Sequence, residues 1–504
     1  MLSKKSSPIF AALFVVFLAV AVWMTVIIAG AARNPSPAGP SGTTPAGSTE
    51  TDNAAASNLS LEEKFGKKNF DGATIYFLTG GDTNWWINYD IAGNSDGEVL
   101  SEALYRRNSE IEDTFDCTIL HDQKTHTNAG DTIRREVNSG DHTYDSYFSN
   151  GTQMTKLLSG ALVTNLNEVE GLNFDDPWWN KTVNDTLNWG GKYRYFAMGE
   201  MNIMAWKSTA CIMYNYTLGK TLNLEDAFQL VREGKWTIDK WNEMIAAGTD
   251  DLNANDKMDY EYDQYGLVCG NQTFEYTLNG MDETCAASDD ENWPTLFELT
   301  DRKVAALEQL TRVFSHDTTL NVHDTSYSGG TSLAGKSGIY FSTGRFLFFA
   351  ETICGSFQLW DMQDDYGFLP FPKFDEKQES YNSLIQSPQM SIVTIPYGAT
   401  EHQTETVAVI NAMGYLNQRD IKTVFFDHVF GTRSVRDHDL NVDMLTLILQ
   451  DRTFDLGVTL DPAKIITNLR TEAIRGTNGF ASVYAANVDA AKAEYVKLRE
   501  TLGN

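Results

Sequence analysis

The segment Thr79 to Asp90, TGGDTNWWINYD, sets two adjacent indoles, Trp85 and Trp86, among Gly, Asp, Asn and Thr. Flat aromatic faces beside side chains that both donate and accept hydrogen bonds can hold and orient a small ligand. Packing inward is the competing use, because a large ring can equally anchor a loop to a core. A second stretch, DLNANDKMDYEYDQYG, puts Asp251, Asn253, Asn255 and Asp259 at positions 1, 3, 5 and 9 of a calcium loop, with the carbonyl of Lys257 at 7. The pattern departs twice: Asp256 stands where glycine makes the sharp turn, and Tyr262 where a bidentate Glu belongs, between Glu261 and Asp263. A solvated polar turn explains the same residues. Calcium, if bound here, would be structural.

The sequence holds no HExxH, P-loop, nucleophile elbow or GxGxxG in a strand-turn-helix setting. Its eight histidines show no metal-ligand spacing. The balance favours binding over catalysis, with no cofactor required. The cysteines, Cys117, Cys211, Cys269, Cys285 and Cys354, are odd in number and far apart. Buried free thiols are the expectation, with a single disulfide as the alternative for an exported protein.

With 39 Lys+Arg against 68 Asp+Glu, the net charge of -29 repels phosphate backbones, so nucleic acid is not an expected partner. A chain of 504 residues exceeds what one core supports and predicts two lobes. Lys4 and Lys5 precede an uncharged run from Ile9 to Ile28, followed by Ala29, Gly30, Ala31 and Ala32. At about 20 residues the run can span a bilayer, and its order of parts also fits a signal peptide. Residues 1–32 therefore read as a signal peptide or a transmembrane anchor, and either one exports the rest of the chain. Residues 33–66 are rich in Pro, Gly, Ser, Thr and Ala and read as a disordered linker.

From Phe70 onward the pattern alternates between strand and helix. A strand over Thr74 to Thr79 is followed by a helix from about Asp96 to Phe115, with Leu100, Leu104, Ile111 and Phe115 on one face. Strands at Cys117 and at Asp145 to Asn150 come next, and then one at Ser208 to Asn215. Such alternation predicts parallel pairing, with the loops after the strands gathered along one sheet edge where ligands bind. A helix is expected over about Leu296 to Phe314, and mostly helix after Ile392. In DDPWWNK, Asp176 and Pro177 read as a helix start with Trp178 and Trp179 facing the core.

Three segments carry a family resemblance: GEVLSEALYRRNSEIEDTFDCTI, GKYRYFAMGEMNIMAWKSTACIMYN, and DYGFLPFPKFDEKQESY from Asp365 to Tyr381. In order and spacing they resemble the extracellular solute-binding proteins of ABC-type importers, in particular the carbohydrate-binding group with the type II periplasmic-binding-protein fold. The last segment is close to that family's GxLPxPKxDExQxxY pattern. The chain departs from many relatives in having no lipobox cysteine after the apolar run.

The resemblance implies an α/β fold of two lobes with a cleft between them and a helix-rich C-terminal part. The lobes would be 67–195 plus about 390–435, and 196–389, with helices of 436–504 packed on both. It implies capture of a sugar or oligosaccharide, delivery to ABC permease subunits, and a monomer secreted from a bacterium or anchored by its N-terminal segment to the extracellular face of the membrane. Ligand contacts are expected from Trp85, Trp86, Asn150, Trp206, Tyr340, Arg345 and Glu351, with Gln386 to Gln389 as a weaker group. The competing roles are a turn for Asn150, core packing for Trp206 and an ion pair for Arg345. The rival function is a secreted glycoside hydrolase or another polysaccharide-active surface protein.

Overall fold

The computed structural model describes residues 59–81, 88–92, 99–430 and 438–503. The apolar run Ile9 to Ile28, most of the linker, and Trp85 and Trp86 lie outside the described residues. Among the described residues no helix is long and apolar enough to cross a membrane.

The alternation from Phe70 to Asn150 folds as expected; the later strand at Ser208 to Asn215 departs from it, running antiparallel to both of its neighbours. Strands β1 (Ala73–Gly80), β2 (Cys117–Lys124) and β3 (Ser146–Ser149) are parallel, with β1 in the middle. They are joined by helices α1 (Val99–Phe115) and α2 (His126–Ser139). On α1 the residues Leu100, Leu104, Ile111 and Phe115 are all buried, which is the stripe that the three-to-four spacing predicts. Thr125 caps α2 by accepting from the Asn128 N–H, and Gly140 ends it in the left-handed region at φ 77°.

A second sheet contains β4 (Ala210–Asn215), β5 (Tyr265–Cys269), β6 (Thr319–Asn321), β7 (Phe346–Thr352) and β8 (Tyr366–Leu369), in the order β8-β4-β7-β5-β6. Strands β5, β6 and β7 are parallel, while β4 runs against both of its neighbours. The continuous apolar run Phe346 to Ala350 suits the central position of β7, where both faces are covered. The chain then passes through β9 (Ser383–Leu384) to β10 (Ile392–Thr394), which pairs antiparallel with β3 in the first sheet. Later β11 (Arg452–Thr453) pairs with β9. Both sheets belong to one compact unit, Asn58–Asn504.

After Ile392 the chain is mostly helical, as expected. Helix α3 (Thr273–Gly280) follows β5 in the second sheet's half; the late helices include α4 (Gln403–Leu416), α5 (Lys422–Phe430), α6 (Ile465–Ile474) and α7 (Phe480–Gly503). A π-helical turn, Asn417–Ile421, joins α4 to α5. It falls where the chain passes from the core of the first sheet, which holds Met413 and Leu416, to that of the second, which holds Ile421 and Phe425.

The motif segment Asp365 to Tyr381 has a structural job. The Trp236 indole donates to the Pro370 carbonyl at 3.0 Å and the Tyr381 hydroxyl to the Val231 carbonyl at 3.2 Å. The expected helix at Pro177 does not form: Asp176 to Trp179 is a turn, and the next helix, Lys181–Thr186, is capped by Asn180. The tryptophans are nonetheless buried, with Trp178 Nε1 donating to Asn411 Oδ1 at 3.1 Å. All five cysteines are free and buried.

Candidate functional site at the facing sheet edges

Parallel strands end on a common edge, so β1 and β3 deliver their following loops to one side of the first sheet, and β5, β6 and β7 theirs to one side of the second. The segment 385–391 runs between these two edges. On the first side, the Gly151 N–H donates to the Ser387 carbonyl at 2.9 Å and Asn150 Nδ2 to the Pro388 carbonyl at 3.1 Å. On the second, Thr352 Oγ1 donates to Gln389 Oε1 at 3.1 Å, and the Gln386 N–H to the Ser208 carbonyl at 2.9 Å.

The loop after β1 is fastened by a buried polar cluster. Arg107 donates to the carbonyls of Asp90 and Ile91 at 3.0 and 2.7 Å, and to Asn417 Oδ1 at 3.0 Å. Asp90 Oδ1 accepts from the Met204 N–H at 2.9 Å. Burial pushes the Asp90 carboxyl up to about 6, although Ser391, Met204, Asn88 and Arg107 pull it back.

A cavity of 230 Å³ opens beside the 385–391 segment, lined by Thr152 from the first sheet's edge, Gln272, Glu275 and Tyr276 from the second, Gln386 from between them, and Arg470 of α6. Helix α3 begins at Thr273, just past the end of β5, which is why Glu275 and Tyr276 lie here. Glu275 is only 5% exposed and pairs with Arg470. Burial pushes its carboxyl up to about 7 against the opposing pull of the guanidinium. Tyr276 stands beside Gln386, and between the charges of Glu351 and Glu275 its hydroxyl is pushed well above its ordinary range, chiefly by burial. Larger cavities lie under α7, one of 340 Å³ with mostly apolar walls between α7 and the segments around Leu158 and Leu460.

The expected ligand residues are divided by this geometry. Glu351, at the end of β7, lies on the facing edge: its Oε1 accepts from the Thr352 N–H at 3.1 Å, and burial pushes its carboxyl up to about 7. Asn150 is there too, with both amide atoms engaged, since Thr152 Oγ1 donates to its Oδ1 at 2.8 Å. Trp206 sits wholly inside the core against Phe425, ring centres 5.3 Å apart.

Tyr340 and Arg345 fall elsewhere. Arg345 immediately precedes β7, so the strand's length, roughly 20 Å at about 3.3 Å per residue, separates it from the facing edge. There it donates to the Asp263 carbonyl at 2.7 Å, and Tyr340 meets Tyr260 edge-on at 5.4 Å. This far end also carries the calcium-like loop. Asp251 accepts from the N–H groups of Asn255 and Asp256, and Asp256 takes the left-handed turn, φ 60°, that glycine makes in calcium loops. The Asp263 carboxylate is taken by the Leu252 and Asp259 N–H groups and by Asn253 Nδ2. Among the described residues no group of three or more acidic, His or Cys side chains is placed to hold a metal.

Two groups escaped the sequence reading. Glu275 and Tyr276 follow strand β5 in GNQTFEY, a strand-loop-helix junction of the same kind as the one after β1; that signal was present. Arg470 has no local signature. The other group is aromatic: Phe357 and His428 lie 5.2 Å apart, Trp360 is 49% exposed at 6.4 Å from His428, and the Lys207 ammonium sits 4.5 Å over Tyr89 and 5.1 Å over Phe357. Tyr89 belongs to the loop that carries Trp85 and Trp86.

No sequence family matches the chain, and no curated protein matches it. Solved structures do match its fold. The ABC substrate-binding protein Lmo0181 of Listeria monocytogenes, determined with cycloalternan, is similar at TM-score 0.51 and 13% identity, over 86% of this chain and 100% of that one. UspC of M. tuberculosis matches at 0.54 and 13% identity over 83% and 99%. A cyclic alpha-maltosyl-1,6-maltose binding protein of Arthrobacter globiformis matches at 0.51 and 14% over 85% and 99%. The fold is therefore the two-sheet α/β architecture of periplasmic-type binding proteins.

Proposed function

We propose that this chain is the extracellular substrate-binding component of an ABC importer, which captures a sugar or oligosaccharide between two lobes and delivers it to a permease. The observation that carries the reading is the 230 Å³ cavity whose wall draws Thr152 from one sheet edge and Gln272, Glu275 and Tyr276 from the other. A ligand touching both edges finds all its partners only while the edges face each other, so it shifts the population toward the closed state. The lobes, 67–195 with about 390–435 and 196–389, would turn about the 385–391 segment and its neighbours. The similarity of the fold to proteins solved with cycloalternan or named for binding cyclic maltosyl-maltose supports a carbohydrate ligand. The run Ile9 to Ile28 would export the chain or tether it outside the cell.

The hydrolase alternative needs two carboxyl groups on opposite sides of a glycosidic bond. The two on the cavity wall are both engaged, Glu275 by Arg470 and Asp461 by the Ile466 N–H and the Thr467 hydroxyl at the start of α6. Titration of tryptophan fluorescence against a panel of glycans tests the proposal. Saturable quenching with the sugar recovered intact is expected; shortened sugar in the mixture, or no response to any glycan, would refute it.

A further inference from the structure

The cavity's charged groups are unequally committed. Asp461 accepts at one oxygen from the Ile466 N–H at 2.8 Å and at the other from Thr467 Oγ1 at 2.6 Å, so it caps the start of α6. Arg470 donates to Glu275 Oε1 and, at 3.3 Å, to Thr467 Oγ1. The Ser387 and Thr459 hydroxyls bond to each other. Glu275 Oε2 is left buried with no hydrogen-bond partner. Two acidic residues, Glu275 and Asp461, thus share the wall with a single basic one, Arg470. The negative charge is in excess, and of the wall's unpartnered buried atoms Glu275 Oε2 and Gln386 Oε1 are acceptors, while the Tyr276 hydroxyl alone can donate.

We propose that this cavity selects a sugar that brings hydrogen-bond donors and no negative charge to Glu275, so that an amino sugar binds more tightly than its neutral parent and a uronate is rejected. The inference rests on the sugar-capture reading above and deepens it. A buried acceptor without a donor is unfavourable, and a ligand N–H or O–H removes that penalty. An ammonium adds charge assistance, which makes such bonds roughly twice as strong as neutral ones. A ligand carboxylate meets the opposite field, because the only guanidinium on the wall is already paired with Glu275. Burial holds the Glu275 carboxyl at about 7 even with Arg470 beside it, as befits a carboxylate short of donors. At about 30 Å³ per water, the 230 Å³ space holds roughly eight waters, a volume suited to one sugar ring.

Calorimetric titration of the full chain at pH 7.5 with matched probes tests this: glucose, glucosamine and glucuronate, and the corresponding galactose trio. Within at least one trio the amine is expected to bind at least about tenfold more tightly than the neutral sugar, and the uronate at least about tenfold more weakly. In Glu275→Gln the amine-to-neutral ratio should fall to near one. A uronate that binds as well as its neutral parent overturns the inference, as does an undiminished amine preference in the variant. The ranking on the unaltered chain stands whether or not the variant folds. Absence of binding by all six probes and by the wider glycan panel defeats the sugar reading itself, whereas binding without preference defeats this inference alone.

Discussion

Arg452 Nη2 donates to Glu200 Oε1 at 2.9 Å across 252 residues of sequence, tying β11 to the segment that leads into β4. The Arg452 side chain is 3% exposed and that of Glu200 12%, and Arg452 Nε donates in addition to the Leu449 carbonyl at 2.8 Å. Removing Arg452 leaves the buried Glu200 carboxylate with Lys422 alone, at 3.7 Å, and losing one partner of a buried pair costs about 3–5 kcal/mol. Arg452→Ala should therefore lower the unfolding free energy, measured by urea titration, toward the low end of that range, and the double change Glu200→Leu with Arg452→Met should recover only part of it, because Lys422 then loses its carboxylate. A loss below about 1 kcal/mol in Arg452→Ala would contradict the buried-pair picture.

Stability should rise on mild acidification. Glu275 and Glu351 move from 4.5 to about 7 and Asp90 from 3.8 to about 6, so the folded chain binds protons that the unfolded chain has already lost. That contribution is present at low pH and disappears as pH rises through the folded values near 6 to 7. His121 acts oppositely: burial lowers it from 6.5 to about 4, so unfolding takes up a proton below pH 6.5. The melting temperature should be higher at pH 5.5 than at pH 8, with His121 offsetting part of the gain below pH 6.5. A curve that falls steadily from pH 8 to 5.5 would show that these carboxyls ionise freely in the folded state.

The tight loop at the far end of the second sheet offers a backbone test. Ala254 sits at φ 55°, exposed, where a Cβ is disfavoured by about 1–2 kcal/mol and glycine is not. After allowing for the greater freedom of glycine in the unfolded chain, Ala254→Gly should stabilise by about 0.5–1 kcal/mol. Thermal unfolding measures it, and a drop in melting temperature would be the wrong sign.

Tryptophan substitutions should separate binding from packing. Trp206→Ala empties a fully buried site and should lower stability by about 3–5 kcal/mol. Trp85→Ala with Trp86→Ala should instead weaken sugar affinity at least tenfold, while leaving the unfolding free energy within about 0.5 kcal/mol. Unchanged affinity in that double variant would make the pair packing residues.

The alternation of period-two and period-3.6 stretches made β1, α1, β2, α2 and β3 legible, because each element's burial pattern follows from its own residues. Position along a strand was harder to read. Tyr340 and Arg345 follow a Gly-rich loop and looked like a return to the cleft, but β7 runs parallel to β5, which places its start at the opposite edge and only its end, Glu351, at the site. Trp206 stands in an apolar run whose segment passes between the sheets, and burial on all sides decided its role. The pairing of Glu275 with Arg470 left no trace in either neighbourhood, since it exists only in three dimensions.

Those two residues are 195 positions apart in the chain. Closing so long a loop is entropically unfavourable, and contacts of that separation slow folding. The parallel part of the first sheet, β1 to β3, is built from neighbours in sequence and can form well before β10 and α6 arrive to complete the sheet and the cavity wall. A refolding experiment should therefore see ligand-binding competence appear in a later kinetic phase than secondary structure. During the interval the chain would be a folded scaffold whose cavity still lacks a wall.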